Sequence, residues 1–172
     1  MKLTTLYEQI LIEILDFNNI ELLKYTKVNN NQYKIKINND LVEINFYNDK
    51  IEPDVFTLPE IITKLYDTET VHIGYTFNDV DTQFKKMPLN GFLPILKTIV
   101  EIVNRYIIKI APKSLVVFST DRYGSFGIDP AKDKIYKLLV KKFIPSTYAR
   151  YDISVENLKD GLILVSKQFL KR

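Results

Sequence analysis

The chain has 172 residues, no cysteine, one histidine and a formal net charge of +3. That length suits one domain with a real core. The missing cysteines exclude disulfides, thiolate metal sites and a cysteine nucleophile, and the lone His72 excludes a multi-histidine metal centre.

Residues 3–17 place Leu3, Leu6, Tyr7, Ile10, Leu11, Ile14 and Leu15 at helical spacing. A helix within residues 1–25 is therefore expected, with one apolar stripe for a sheet to cover. Its polar face carries Glu8, Glu13 and Asp16, which argues against a membrane surface. No run approaches 18 apolar residues, and the start lacks the apolar core of a signal peptide. A protein of a host-cell cytoplasm, or one packaged from it into a particle, is expected.

Tyr33, Ile35 and Ile37 alternate with lysines, Asn38-Asn39-Asp40 supplies turn chemistry, and Val42, Ile44 and Phe46 share one face of the returning strand. Pro53 and Pro59 bracket a looser region, with a short helix expected from Pro59 to about Tyr66. Val71, Ile73, Tyr75 and Phe77 predict another strand, and residues 78–81 turn the chain into a short partner strand ending near Phe84. Residues 87–94, with Pro88, Asn90-Gly91 and Pro94, read as a break before a long core helix over 92–110, which Pro112 stops. The run Leu115-Val116-Val117-Phe118 suits a strand covered on both faces. A loop over 119–129 precedes a second helix at 131–143, which Pro145 ends. Tyr151, Ile153 and Val155 predict a further strand, Lys159-Asp160-Gly161 a turn, and residues 162–169 a closing strand. The expectation is a single α+β domain over residues 1–172. It has a mixed sheet of six or seven strands within 30–170, helices near 92–110 and 131–143, and the N-terminal helix.

This order of elements resembles the acyl-CoA N-acyltransferase (GNAT) superfamily over roughly residues 30–169. The resemblance implies an acetyl-CoA site where a strand meets the first turn of the long helix, with backbone N–H groups on the pyrophosphate. It places Asn90, Gly91 and Phe92 at the cofactor and Tyr136 as a general acid. The segment from Lys85 to Pro94 departs from the family loop: it has one glycine, and Pro88 and Pro94 have no N–H to offer. A second resemblance is carried by Ile99-Val100-Glu101-Ile102-Val103, Val116-Val117-Phe118-Ser119, Lys134-Ile135-Tyr136-Lys137-Leu138-Leu139 and Tyr151. Those segments resemble a group of small uncharacterised tailed-bacteriophage proteins, which brings no activity with it. Heavy use of Lys, Asn and Ile agrees with an AT-rich viral or bacterial source.

Three segments are candidate sites. The loop containing Ser119, Asp121, Arg122, Tyr123, Gly124 and Phe126 mixes hydroxyls, both charges, aromatics and glycine, and follows a buried strand where open sheets place ligands. Lys132, Lys134, Lys137, Lys141 and Lys142, with Lys85 and Lys86, are a candidate anion patch. They belong mostly to a basic third: residues 131–172 hold 10 Lys/Arg against 4 Asp/Glu. The alternative is one solvated helix face. His72 is expected on the sheet face opposite Val71 and Ile73, and Glu43 and Glu101 are carboxylates on otherwise apolar elements. Three functions remain open. The first expectation is a non-enzymatic phage-type binding protein without a cofactor, a virion or assembly component or a host-directed inhibitor, with a protein partner or a second copy. The others are an acetyl-CoA-dependent N-acyltransferase and a nucleotide or nucleic-acid binder.

Overall fold

Period-two alternation writes most of the sheet. A computed structural model describes residues 19–78, 89–118, 143–155 and 158–172. Among them eight strands form one sheet: β1 Tyr25–Lys27, β2 Gln32–Ile37, β3 Asp40–Lys50, β4 Phe56–Thr57, β5 Glu69–Phe77, β6 Ser114–Phe118, β7 Tyr148–Val155 and β8 Leu158–Ser166. Their spatial order is β1-β2-β3-β5-β6-β8-β7-β4. The helices are α1, Leu89–Ile110, and a short α2, Lys167–Leu170, with a 3₁₀ helix at Glu60–Leu65. The α+β class and mixed sheet agree with expectation, and eight strands replace six or seven.

The β2–β3 hairpin forms as expected but turns on Asn38-Asn39 alone, with Asp40 already in β3 opposite Ile37, and Asn38 takes the left-handed backbone (φ 55°) that asparagine tolerates. β5 and β6 run parallel, joined by α1, as a crossover between buried strands requires. The partner strand expected near Phe84, the N-terminal helix at 3–17 and most of the helix at 131–143 lie outside the described residues. Phe143 is described, and its carbonyl accepts from Asn104 Nδ2 at 2.8 Å.

Two clusters cover the two faces of the sheet. Leu96, Ile99, Val100, Ile102, Val103 and Ile107 of α1 pack on Ile35, Ile44, Val71, Leu115, Val117 and Leu164, all buried. An aromatic row ties this face together. Tyr25–Tyr33 and Tyr33–Phe46 meet edge to face at 6.1 and 6.0 Å, and Phe46 stacks on Tyr106 of α1 at 3.8 Å. On the other face lie Ile51, Phe56, Leu58, Ile62 and Leu65. The looser region of the sequence is thus a cover. It carries the chain from β3 to the far edge, where Phe56 and Thr57 pair with Val155 and Ser154, and back to β5.

Three expected boundaries move. α1 begins at Leu89 rather than 92, with Pro94 inside it as the sixth residue. Proline there removes one helical hydrogen bond, and Thr98 Oγ1 donates to its carbonyl at 2.8 Å. Gly161 is no turn residue: it sits in β8 opposite Ile153, where a β-carbon would lie 2.7 Å from Ile153 Cγ1. The close approach of two strands, and no turn, demands that glycine. The closing strand ends at Ser166, and Lys167 starts α2.

Candidate functional site

The distinctive feature of this sheet is its parallel pair. Val71, His72 and Ile73 of β5 match Leu115, Val116 and Val117 of β6. β5 continues from Gly74 to Phe77 against β3, and Phe118 faces Gly161 on β8. Among the described residues, the β6-facing edge of β5 from Gly74 onward has no strand beside it. Thr76 Oγ1, on the same stretch, is buried without a hydrogen-bond partner.

The start of α1 lies at this end. Its last turns (Tyr106 and Ile110) neighbour Val71 and Ser114 at the beginnings of β5 and β6. A 22-residue helix, about 33 Å long at 1.5 Å per residue, therefore places its first turn near the strands' carboxyl ends. The residues expected at a cofactor, Asn90, Gly91 and Phe92, form that turn with Leu89, and Gly91 is exposed. The first four amides of a helix have no intrahelical acceptor and sit at the positive end of its dipole. Pro94 is not among them. The missing N–H of Pro94 falls inside the helix, and Pro88 lies outside the described residues.

The other candidates separate. The loop containing Ser119, Asp121, Arg122, Tyr123, Gly124 and Phe126 lies outside the described residues, as do Tyr136 and Lys132, Lys134, Lys137, Lys141 and Lys142. The chain enters that segment from Phe118, which is opposite Gly161 on β8. His72 is fully buried, stacked on Tyr47 at 5.6 Å and edge-on to Phe56 at 6.0 Å. Its alternation placed it correctly, but its ring belongs to the second core. Glu43 pairs with Lys34 across the hairpin at 2.5 Å, and Glu101 with Arg105 one turn on at 2.6 Å. Both are surface pairs of the kind that contributes about 0–1 kcal/mol. Among the described residues no group of three His, Asp or Glu side chains converges as a metal site, and no helix is long and apolar enough to cross a membrane.

The sequence did not single out the edge of β5 from Gly74 to Phe77, because strand order is not written locally. No protein-family model, curated protein or solved structure matches this chain.

Proposed function

We propose that this chain binds an acyl-CoA-class ligand between β5 and β6, on a layout like that of the acyl-CoA N-acyltransferases, with transfer of the acyl group to an amine as its activity. The edge of β5 past Ile73, beside which no strand stands among the described residues, carries the reading. The pantetheine amides of such a ligand can pair with this β6-facing edge of Gly74 to Phe77, as an added strand would. The first-turn amides of α1, with Gly91 leaving room for close approach, suit the pyrophosphate. The mixed sheet with a helix between its parallel strands supports the reading that the resemblance implies. Tyr136 keeps the role of candidate general acid that the resemblance implies.

Calorimetry with acetyl-CoA, CoA and ATP tests this reading. Saturable binding of acetyl-CoA and CoA is expected. Gly91→Glu should weaken it about tenfold or more, equivalent to about 1.4 kcal/mol, because a carboxylate then occupies the anion position. The fold should survive, since acids are favourable at helix starts. No binding of either thioester or thiol would overturn the proposal. Tyr136→Phe should leave binding intact and slow turnover of an acceptor amine by about 10²–10⁴-fold if it is the general acid.

A second reading, a phage-type binding protein acting on a protein partner, is favoured by large apolar side chains left in solvent on α1: Ile108 is 73% exposed and Ile110 44%. Substituting Ile108 with Asp would release such a partner and leave acetyl-CoA binding untouched.

A further inference from the structure

At the other end of the same strand pair, under the last turns of α1, a cavity of about 430 Å³ opens, within the range of small-molecule sites. Its apolar floor is Val71, Pro112 and the ring of Tyr106. Around it stand Asn31, Asn48, Glu69 and Lys113. Glu69 lies two residues before Val71 and Lys113 two residues before Leu115, and Val71 and Leu115 are paired. The two side chains therefore rise from neighbouring strands on one face, yet the ion pairs among the described residues are Lys34–Glu43 and Arg105–Glu101. Neither the Glu69 carboxylate nor the Lys113 ammonium makes a hydrogen bond or ion pair among the described residues.

Tyr106 lines the cavity as well. Its side chain is 5% exposed and held by the 3.8 Å stack on Phe46, so its ring is fixed in place. The wall behind is rigid: Ser114 is buried, and its hydroxyl meets Thr70 Oγ1 at 2.8 Å. Two more ammonium groups, Lys27 and Lys109, both donate to Asn30 Oδ1, at 2.9 and 3.5 Å, one residue along from Asn31 and Ile110. α1 ends here, and the terminal carbonyls of a helix favour a cation.

We infer that this cavity binds a small zwitterion of the α-amino-acid type. Its ammonium sits between Glu69 and the α1 carboxyl end, its carboxylate at Lys113 with the Tyr106 hydroxyl, and its side chain on Val71 and Pro112. Both charged positions are separately recognised, which is what distinguishes a zwitterion from a simple anion or amine. The site lies at the opposite end of β5 from the acyl-CoA edge, so the two stand or fall separately.

A thermal-shift screen of the twenty α-amino acids, each at about 10 mM, followed by calorimetry on those that stabilise, tests the inference. At least one should bind saturably, and its N-acetyl and carboxamide derivatives should bind at least tenfold more weakly. Glu69→Gln and Lys113→Met should each weaken binding about tenfold or more. Both side chains are exposed, so the melting temperature without ligand should stay within a few degrees of wild type. Gly91→Glu should leave amino-acid binding unchanged. Absence of any stabilising amino acid, equal binding of a blocked derivative, or binding indifferent to both substitutions would overturn it.

Discussion

At the scale of single residues, two backbone positions carry the sharpest physics. Ala111, directly after α1, sits in the left-handed region (φ 48°), with its N–H on the Ile107 carbonyl at 2.8 Å. This is the helix-capping position that glycine normally takes, because a β-carbon there costs about 1–2 kcal/mol. Ala111 is exposed, so Ala111→Gly loses no packing. It should raise stability by about 0.5–1 kcal/mol, measured by urea denaturation. Gly161 is the opposite case. Its missing β-carbon makes room for Ile153, so Gly161→Ala should destabilise by about 1–3 kcal/mol through overpacking. Restoring space with Ile153→Val in the same chain should recover part of the loss.

Two tyrosines give the fold a pH limit. Burial raises the Tyr148 hydroxyl above the ordinary tyrosine range, and burial and then Tyr33 do the same for Tyr106. Both are held neutral in the fold. As pH passes the ordinary value of 10.0, the unfolded chain loses these protons first. It then binds fewer protons than the native state, and stability falls as pH rises toward the folded-state values. Below pH 10 their contribution is fully present. Tyr148→Phe removes the hydrogen bond to the Pro112 carbonyl (2.7 Å) and should cost about 1 kcal/mol at pH 7. Its stability should decline less steeply than that of wild type above pH 10, which paired melts at pH 8 and 10.5 would reveal.

At the scale of elements, α1 acts as the spine. Thr98, fully buried on it, accepts a hydrogen bond from Leu23 N at 2.9 Å while donating to the Pro94 carbonyl. Lys97 Nζ donates to the Ile20 carbonyl. Thr98 and Lys97 together therefore tie residues 20–23 to the helix. Thr98→Val keeps the shape and deletes both bonds, leaving the Leu23 N–H without its acceptor. The expected loss is about 1–3 kcal/mol, with faster amide exchange at Leu23 than elsewhere in the sheet. Unchanged exchange at Leu23 would count against this tie.

At the scale of the molecule, the sheet is two antiparallel halves sewn by three parallel register pairs. β1, β2, β3 and β5 form one half, and β6, β8, β7 and β4 the other. So narrow a seam would be weak alone. α1 bridges it, because Ile44 and Phe46 of the first half and Leu162 and Leu164 of the second share one buried cluster with Ile99 and Val103. Unfolding should therefore be a single transition, with far-UV circular dichroism and tyrosine fluorescence changing together. The polar cavity lies at one end of this seam.

How much was legible in advance follows from the range of each interaction. Alternation and helical spacing are local, so β2, β3, β5, β6, the body of α1 and the burial side of His72 could be read directly from residue types. The asparagine turn at Asn38 and the stop at Pro112 were equally local. Contacts between distant residues were not. Nothing local tells that 51–66 crosses beneath the sheet, that β4 caps the far edge, or that Gly161 faces Ile153 and not a turn. Pro94 reads as a break because proline usually is one, but the buried stripe of α1 outweighs one lost hydrogen bond. The candidate sites divide in the same way. By itself the sequence determined an α+β domain with a long core helix after the break at 87–94. Only the tertiary structure decided that this helix starts at Leu89, that β5 and β6 run parallel beneath it, and that Glu69, Lys113 and Tyr106 gather around one cavity, because strand order and register are set by packing across the whole chain.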